Sequence, residues 1–337
     1  MVALSTVEAS NASIGKSLPD GMVGVFVGAT SGIGEYTLKA FAQRVKNPRA
    51  YIIGRSQAAA DRIIPECKQI NPTGQYTFIR ADVSLLNNVD NVCQQILAKE
   101  DTINLLFQTQ GTMLTDNTAE GLSYIYVLPV TSRILFALNL LPAIQKAKGL
   151  KRVVSVFASG YEGPYDENQW AEFAVKKPMK ARSHISSMIT MANNVMARQA
   201  PDVSFVHNYP GAVQTPFGKD AKGMMAIART IFNFIGRFLI TYLPPEECGA
   251  LQLYCATSSR FPPAAGEAAG VPVSGDVTVS RGTDGQAGSG SYTINYDNEN
   301  VSTTIDEHLA KAKADGVEER MWAHILEEIK RVTGKAR

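Results

Sequence analysis

Six apolar runs of strand length recur along the first two thirds of the chain, and a helix-length amphipathic segment fills most of the gaps between them. The runs are "MVGVFVG" (22–28), "AYIIG" (50–54), "YTFIRA" (76–81), "INLLFQT" (103–109), "RVVSVF" (152–157) and "VSFVHNY" (203–209). Few folds accept that rhythm, because strands joined by crossover helices lie parallel and bury both faces of their sheet. The expected fold is α/β, a doubly wound parallel sheet of Rossmann type. Ser84 is the expected N-cap of a helix whose Val89, Val92, Ile96 and Leu97 share one face.

The 337 residues exceed one average domain, yet a sheet of this kind with a C-terminal extension uses that length as a single domain. Residues 1–20 read as a mobile lead-in, without the apolar core of a signal peptide, and 21–260 as the main body. Residues 261–337 read as an extension packed on that body: an irregular Gly/Ala/Pro-rich excursion over 262–290, a short strand at "SYTINY", and a helix striped by Trp322, Ile325, Leu326 and Ile329.

Basic and acidic side chains number 33 and 31, a net charge of +2, which leaves no global field for nucleic acid or anionic lipid. Cys67, Cys93, Cys248 and Cys255 form no CxxC pair and the four histidines show no ligand spacing, so reduced thiols, a cytoplasmic location and no metal are expected. The segment "GMMAIARTIFNFIGRFLITYL" (223–243) is long enough to span a bilayer, but Arg229, Asn233 and Arg237 draw one polar stripe along it. It reads as a cover or dimer helix and not as a membrane span.

The first chemical motif is "VGATSGIGE", which follows a strand and opens a helix. Its Gly28, Gly32 and Gly34 let backbone amides and the helix N-terminus meet a pyrophosphate without side-chain obstruction, and Thr30, Ser31 and Ile33 complete the loop. The end of the second strand reads "GRS". An acidic residue there would grip a ribose 2′-hydroxyl and repel a 2′-phosphate; Arg55, 21 residues after Gly34, offers a cationic fork instead, and Ser56 a further donor. NADP(H) is expected over NAD(H).

The GxxxGIG spacing, Asp82 in "RADVS", Gly111 in "FQTQGTM" and "NYPGAVQTP" (208–216) resemble the short-chain dehydrogenase/reductase superfamily. The tail, with "PPEECGA" and "GSGSYTINYD", is similar to a fungal branch often associated with secondary metabolism. The resemblance implies that Asp82 and its neighbour Val83 meet the adenine, that Gly111 lets the backbone approach the cofactor, and that Pro210, Gly211, Val213 and Thr215 flank the nicotinamide. It also implies dimers or tetramers.

The same resemblance implies a catalytic Asn-Ser-Tyr-Lys set, and this chain carries none of it. The four places read Pro129, Ala158, His184 and Met188. A positioned general acid contributes about 10²–10⁴ in rate and an oxyanion donor about 10²–10³, so their loss is serious. Three escapes stand open. His184 is an acid or base near neutrality by its nature. Tyr161 or Tyr165 in "SGYEGPYD", or Ser159 beside Ala158, supplies the missing polar group. Alternatively the hydride acceptor is already cationic or conjugated, and positioning suffices.

The sequence therefore reads as an NADP(H)-dependent oxidoreductase of an apolar small molecule, covered by 160–183 and 223–243, and the resemblance implies a fungal secondary-metabolite intermediate as that molecule. The alternatives are a redox-silent isomerase or cyclase on the same scaffold and a cofactor-binding pseudoenzyme acting as a partner subunit.

Overall fold

In the computed structural model, which describes residues 2–218 and 241–337, seven parallel strands form one sheet in the order β3-β2-β1-β4-β5-β6-β7. The strands are β1 (Val23–Val27), β2 (Arg49–Gly54), β3 (Gln75–Arg80), β4 (Leu105–Gln108), β5 (Arg152–Val156), β6 (Ser204–Asn208) and β7 (Ser291–Ile294). All six expected runs are strands, and "SYTINY" supplies the seventh at the edge. The larger helices are α1 (Leu4–Ser17), α2 (Gly32–Arg44), α3 (Gln57–Ile70), α4 (Leu86–Leu97), α6 (Thr131–Gln145), α8 (Ala181–Gln199), α9 (Pro245–Thr257), α10 (Thr303–Ala314) and α11 (Val317–Thr333). Two single-turn helices, α5 (Tyr124–Val127) and α7 (Phe173–Lys176), lie between them.

Alternation along each strand divides the core in two. Val23, Val25 and Val27 of β1 face a cluster built with α4, α6, α8 and α11, whereas Phe26 faces the opposite cluster with α1, α2 and α9. Ile325 and Ile329 of α11 are fully buried in the first cluster and Trp322 nearly so. Burial of each such side chain is worth about 1.5–3 kcal/mol, enough to hold the extension on the body.

Three expectations are corrected. Residues 4–17 form a helix, not a mobile lead-in: Val7, Asn11 and Ile14 recur at helical spacing, are buried, and Asn11 donates to the Ala250 carbonyl at 2.9 Å. Ser84 does not cap α4; its hydroxyl is drawn to Asp82 Oδ1 at 2.7 Å, and the distant Glu120 accepts from the Leu86 and Asn87 amides at 2.5 and 3.2 Å. Leu97, at the last turn of α4, is exposed.

The 262–290 excursion is tied down by buried cations. Arg152 is fully buried and donates to the carbonyls of Cys255, Ser258 and Ala269 at 2.8, 3.1 and 3.1 Å. It thereby meets the negative end of α9 and fastens the excursion to it. Arg260 likewise donates to the Thr278 and Asn298 carbonyls, both at 3.1 Å.

No helix among the described residues is long and apolar enough to cross a membrane. The expected 223–243 cover lies outside the described residues apart from its last three positions.

Candidate active site

The sheet order reverses beside β1, whose neighbours are β2 and β4, and connections leave the carboxyl ends of these two strand sets toward opposite sides of the sheet. A crevice at such a switch point is where an open α/β sheet binds a ligand. Gly28 closes β1 with φ +84°, a backbone that glycine adopts without penalty, and a Cβ there would fall 2.8 Å from Thr109 Oγ1 and 2.9 Å from the Gln110 amide nitrogen. Gly32 opens α2 with φ +59°, and a Cβ there would meet Thr215 Cγ2 at 2.9 Å. The glycine loop, the end of β4 and the segment after β6 are thus within touching distance of one another.

Ser31 stands at the N-cap of α2, yet its exposed hydroxyl makes no capping hydrogen bond. The first-turn amides of α2 and this hydroxyl suit an anionic phosphate, which fits a dinucleotide. Ile33 is half-buried beneath the loop, and Thr30 packs on Gly54, where a Cβ would meet Thr30 Cγ2 at 2.5 Å. Arg55 and Ser56 are exposed just past β2, and Ser56 also caps α3 through Ala59 N–H at 3.2 Å. Asp82, half-buried after β3, accepts from the Ser84 amide at 3.1 Å, and Val83 is buried beside it. Gly111 lies after β4, where a Cβ would sit 3.5 Å from the Phe217 ring. Pro210 and Gly211 follow β6, Gly211 with φ +76° against Tyr296; Val213 bridges to Leu243 and Thr215 lies over Gly32. The expected cofactor residues therefore lie along the carboxyl edge of the sheet.

The proposed acids and bases separate. His184 is fully buried: its Nε2–H donates to the Trp170 carbonyl at 2.8 Å, and its ring stacks on Phe173 and Trp170 with centroids 4.4 and 5.7 Å apart. Burial holds its pKa below the ordinary value. Its described contacts are with the 160–183 segment, and none is with the glycine cradle. Tyr165 also belongs to that segment, stacked on Trp170 at 5.7 Å and lining a separate depression of ≈ 370 Å³ with Asp166, Glu167 and Lys180. Its phenol is pushed up by burial. Met188 is fully buried.

Tyr161 is placed differently. Its ring, 43% exposed, meets that of Tyr209 edge-on at 5.4 Å, and the Arg182 guanidinium lies 3.3 Å from its centroid. Tyr209 directly precedes Pro210; burial raises its pKa, with Arg182, 5.4 Å from the ring centroid, opposing. Ser159 is buried nearby in sequence with its hydroxyl unpartnered.

Beneath this loop is a network that the sequence did not disclose. Ala158 N–H donates to His207 Nε2 at 3.2 Å, so the ring proton is on Nδ1, which faces Thr190 Oγ1 at 2.8 Å and Glu162 Oε1 at 3.1 Å. Thr190 donates to Glu162 Oε1 at 2.8 Å, and Gly160 N–H to Glu162 Oε2 at 2.7 Å. Burial works to raise the Glu162 pKa, but the hydrogen bonds from His207 and Thr190 outweigh it and hold the carboxyl below the ordinary range. Ser186 donates to the Ala158 carbonyl at 2.9 Å and Ser187 to that of Gly163 at 2.9 Å. The turn that carries Ser159 and Tyr161 is therefore fixed at both ends.

Comparison with known proteins agrees with this geometry. Residues 23–164 match the model of the short chain dehydrogenase family. Oxidoreductase AN1596 of Emericella nidulans is 36% identical over 96% of this chain and 97% of its own length. The chain belongs to the short-chain dehydrogenase/reductase family. Oxidoreductase andH of Emericella variicolor is 32% identical over 100% of this chain and 99% of its own. Among solved structures, a short-chain dehydrogenase from Sphingobium yanoikuyae in complex with NADPH superposes with a TM-score of 0.51, at 16% identity, over 69% of this chain and 82% of that one. The NADPH dependent reductase YwfH gives 0.54 at 13% identity, over 71% and 92%. These structural likenesses concern the fold.

Two signals for the missed residues were present. His207 interrupts the apolar run "VSFVHNY", and Arg133 interrupts "TSRILFALNLL", each a polar group at a position whose neighbours are core. Glu162 carried no such sign within a polar loop.

Proposed function

We propose that this member of the short-chain dehydrogenase/reductase family is an NADP(H)-dependent reductase of an apolar small molecule, a natural-product intermediate, with Tyr161 as the proton donor. The observation that carries the reading is the stack of Tyr161 and Arg182 on Tyr209, the residue before Pro210, at the same carboxyl edge of the sheet as a glycine cradle that a Cβ would fill. The α2 amides and Ser31 would hold the pyrophosphate, Arg55 and Ser56 the 2′-phosphate, and Asp82 and Val83 would border the adenine. NADPH supplies a hydride when bound.

Tyr161 carries its hydroxyl on a braced turn with the Arg182 guanidinium over its ring, a pairing that would take up the task of the absent tyrosine and lysine. The braced turn limits reorganisation during proton transfer. Because Ala158 offers no hydroxyl to an oxyanion, the acceptor that suits the site is one already polarised, a conjugated enone, whose enolate then takes the proton of Tyr161.

A second reading, a redox-silent isomerase or cyclase, draws support from the same loss of four polar groups. Purified protein incubated with NADPH and a panel of cyclic enones and iminium salts, followed at 340 nm and by mass spectrometry, separates the two. An enone product gaining two hydrogens, or an amine formed from an iminium by gain of one hydride, with matching loss of absorbance supports the reductase. Conversion without cofactor consumption favours the second reading, and cofactor binding without any conversion leaves a binding subunit.

A further inference from the structure

Arg133 lies in α6 with its side chain buried and only 3% of the residue exposed. Nη2 donates to the Gln110 carbonyl at 2.7 Å and Nη1 to that of Val156 at 3.0 Å, while Nε has no partner. The guanidinium stands 5.9 Å from the Phe157 ring centroid. No carboxylate among the described residues forms an ion pair with it. Burial pushes its pKa down to about 9, which leaves it charged at neutral pH. A cavity of ≈ 10 Å³ beside it is lined also by Gln108, Ser155 and Asn193, none of which carries charge.

An interior cation without a counter-ion is costly. Arg152, also buried without an ion pair among the described residues, meets three carbonyls and the negative end of a helix. Arg133 meets only two, at the carboxyl ends of β4 and β5. Gln110 adjoins Gly111, and its amide lies beside Gly28 at the centre of the cradle. A dinucleotide whose adenosine half lay toward β2 and β3 would extend its other half over β4 and β5 of this sheet. The charge of Arg133 would then lie under the end where the cofactor's own charge changes.

We infer that Arg133 makes the site select the reduced cofactor, because its uncompensated positive charge opposes the cationic ring of NADP⁺ and is indifferent to the neutral ring of NADPH. The inference rests on the NADP(H) reading above. Two like charges on the order of 10 Å apart, at an effective dielectric near 20, discriminate by about tenfold or somewhat more. For a two-electron couple, tenfold tighter binding of the reduced form raises the potential of the bound cofactor by about 30 mV. Bound NADPH is then a weaker hydride donor, which again calls for an electrophilic acceptor, and spent NADP⁺ leaves readily.

The test is calorimetric titration of wild type, Arg133→Met and Asn193→Asp with NADPH and with NADP⁺ at constant salt. Asn193→Asp alters one group and sets a carboxylate on the cavity that Arg133 lines, so it neutralises the cation without truncating it and serves if Arg133→Met does not fold. Wild type is expected to bind NADPH about tenfold tighter than NADP⁺, and both variants to bring that ratio toward one, mainly by tighter NADP⁺ binding. Equal affinities in wild type, or a ratio unchanged in the folded variants, would overturn the role of Arg133 while leaving the cofactor reading intact. Absence of binding by either dinucleotide would instead remove the cofactor reading itself.

Discussion

Replacing Glu162 by glutamine tests the brace beneath the proposed proton donor. The carboxylate is buried and receives Gly160 N–H at 2.7 Å, Thr190 Oγ1–H at 2.8 Å and His207 Nδ1 at 3.1 Å. A glutamine can turn its oxygen to Gly160, but its amide then confronts Thr190 and His207, and one donor of the network loses its acceptor. Loss of a hydrogen bond to a charged group costs about 1.5–3 kcal/mol, and removal of the whole side chain in Glu162→Ala about 3–5 kcal/mol, because several buried donors are orphaned. Urea denaturation at pH 7 measures both values.

The pH dependence gives an independent check of sign. The folded-state pKa of Glu162 is lowered, so its contribution is fully present above the unfolded carboxylate value of 4.5 and is lost as pH falls through the folded value. Wild-type stability should therefore decline over that acidic window more steeply than that of Glu162→Gln. Equal stabilities at pH 7 together with parallel acid profiles would show that the carboxylate contributes nothing to the brace.

Two further substitutions distinguish the candidate acids. Tyr161→Phe is expected to lower turnover about 10²–10⁴-fold with NADPH affinity unchanged in calorimetry; an unaltered rate would remove Tyr161 from proton transfer. His184→Phe keeps an aromatic ring between Phe173 and Trp170 but orphans the Trp170 carbonyl. It should cost about 1–3 kcal/mol in denaturant unfolding and leave the pH–rate profile in place, whereas loss of a neutral inflection would return the proton role to His184.

The sheet was legible because β1, β2, β4, β5 and β6 are buried on both faces and so appear as largely apolar runs; the half-buried edge strand β3 and the opposite edge strand β7 showed as "YTFIRA" and "SYTINY". The cradle was legible for a different reason, since Gly28 and Gly32 occupy backbone positions that leave no room for a side chain. What escaped depended on contacts remote in sequence. Ser84 was a good cap by local rules, but Asp82 holds its hydroxyl and Glu120, 34 residues beyond Leu86, serves the helix instead. The α1 helix has a low amphipathic contrast, with Ser10 and Asn11 on its buried face, and its identity is set by packing on α9. His184 stands at the tyrosine place by resemblance, and a place in a motif says nothing of Trp170 and Phe173, which the 160–183 segment folds over it. Glu162 and His207 are 45 residues apart in number, and nothing local joins them.

Titration of the purified chain with NADPH and NADH, repeated on Arg55→Ala, addresses the nucleotide site itself. Wild type should bind NADPH more tightly than NADH, and Arg55→Ala should weaken NADPH about 10- to 100-fold, the worth of one charge-assisted hydrogen bond of about 1.5–3 kcal/mol, with little change for NADH. Equal losses for both would contradict the 2′-phosphate assignment, and no heat with either dinucleotide would contradict the cradle.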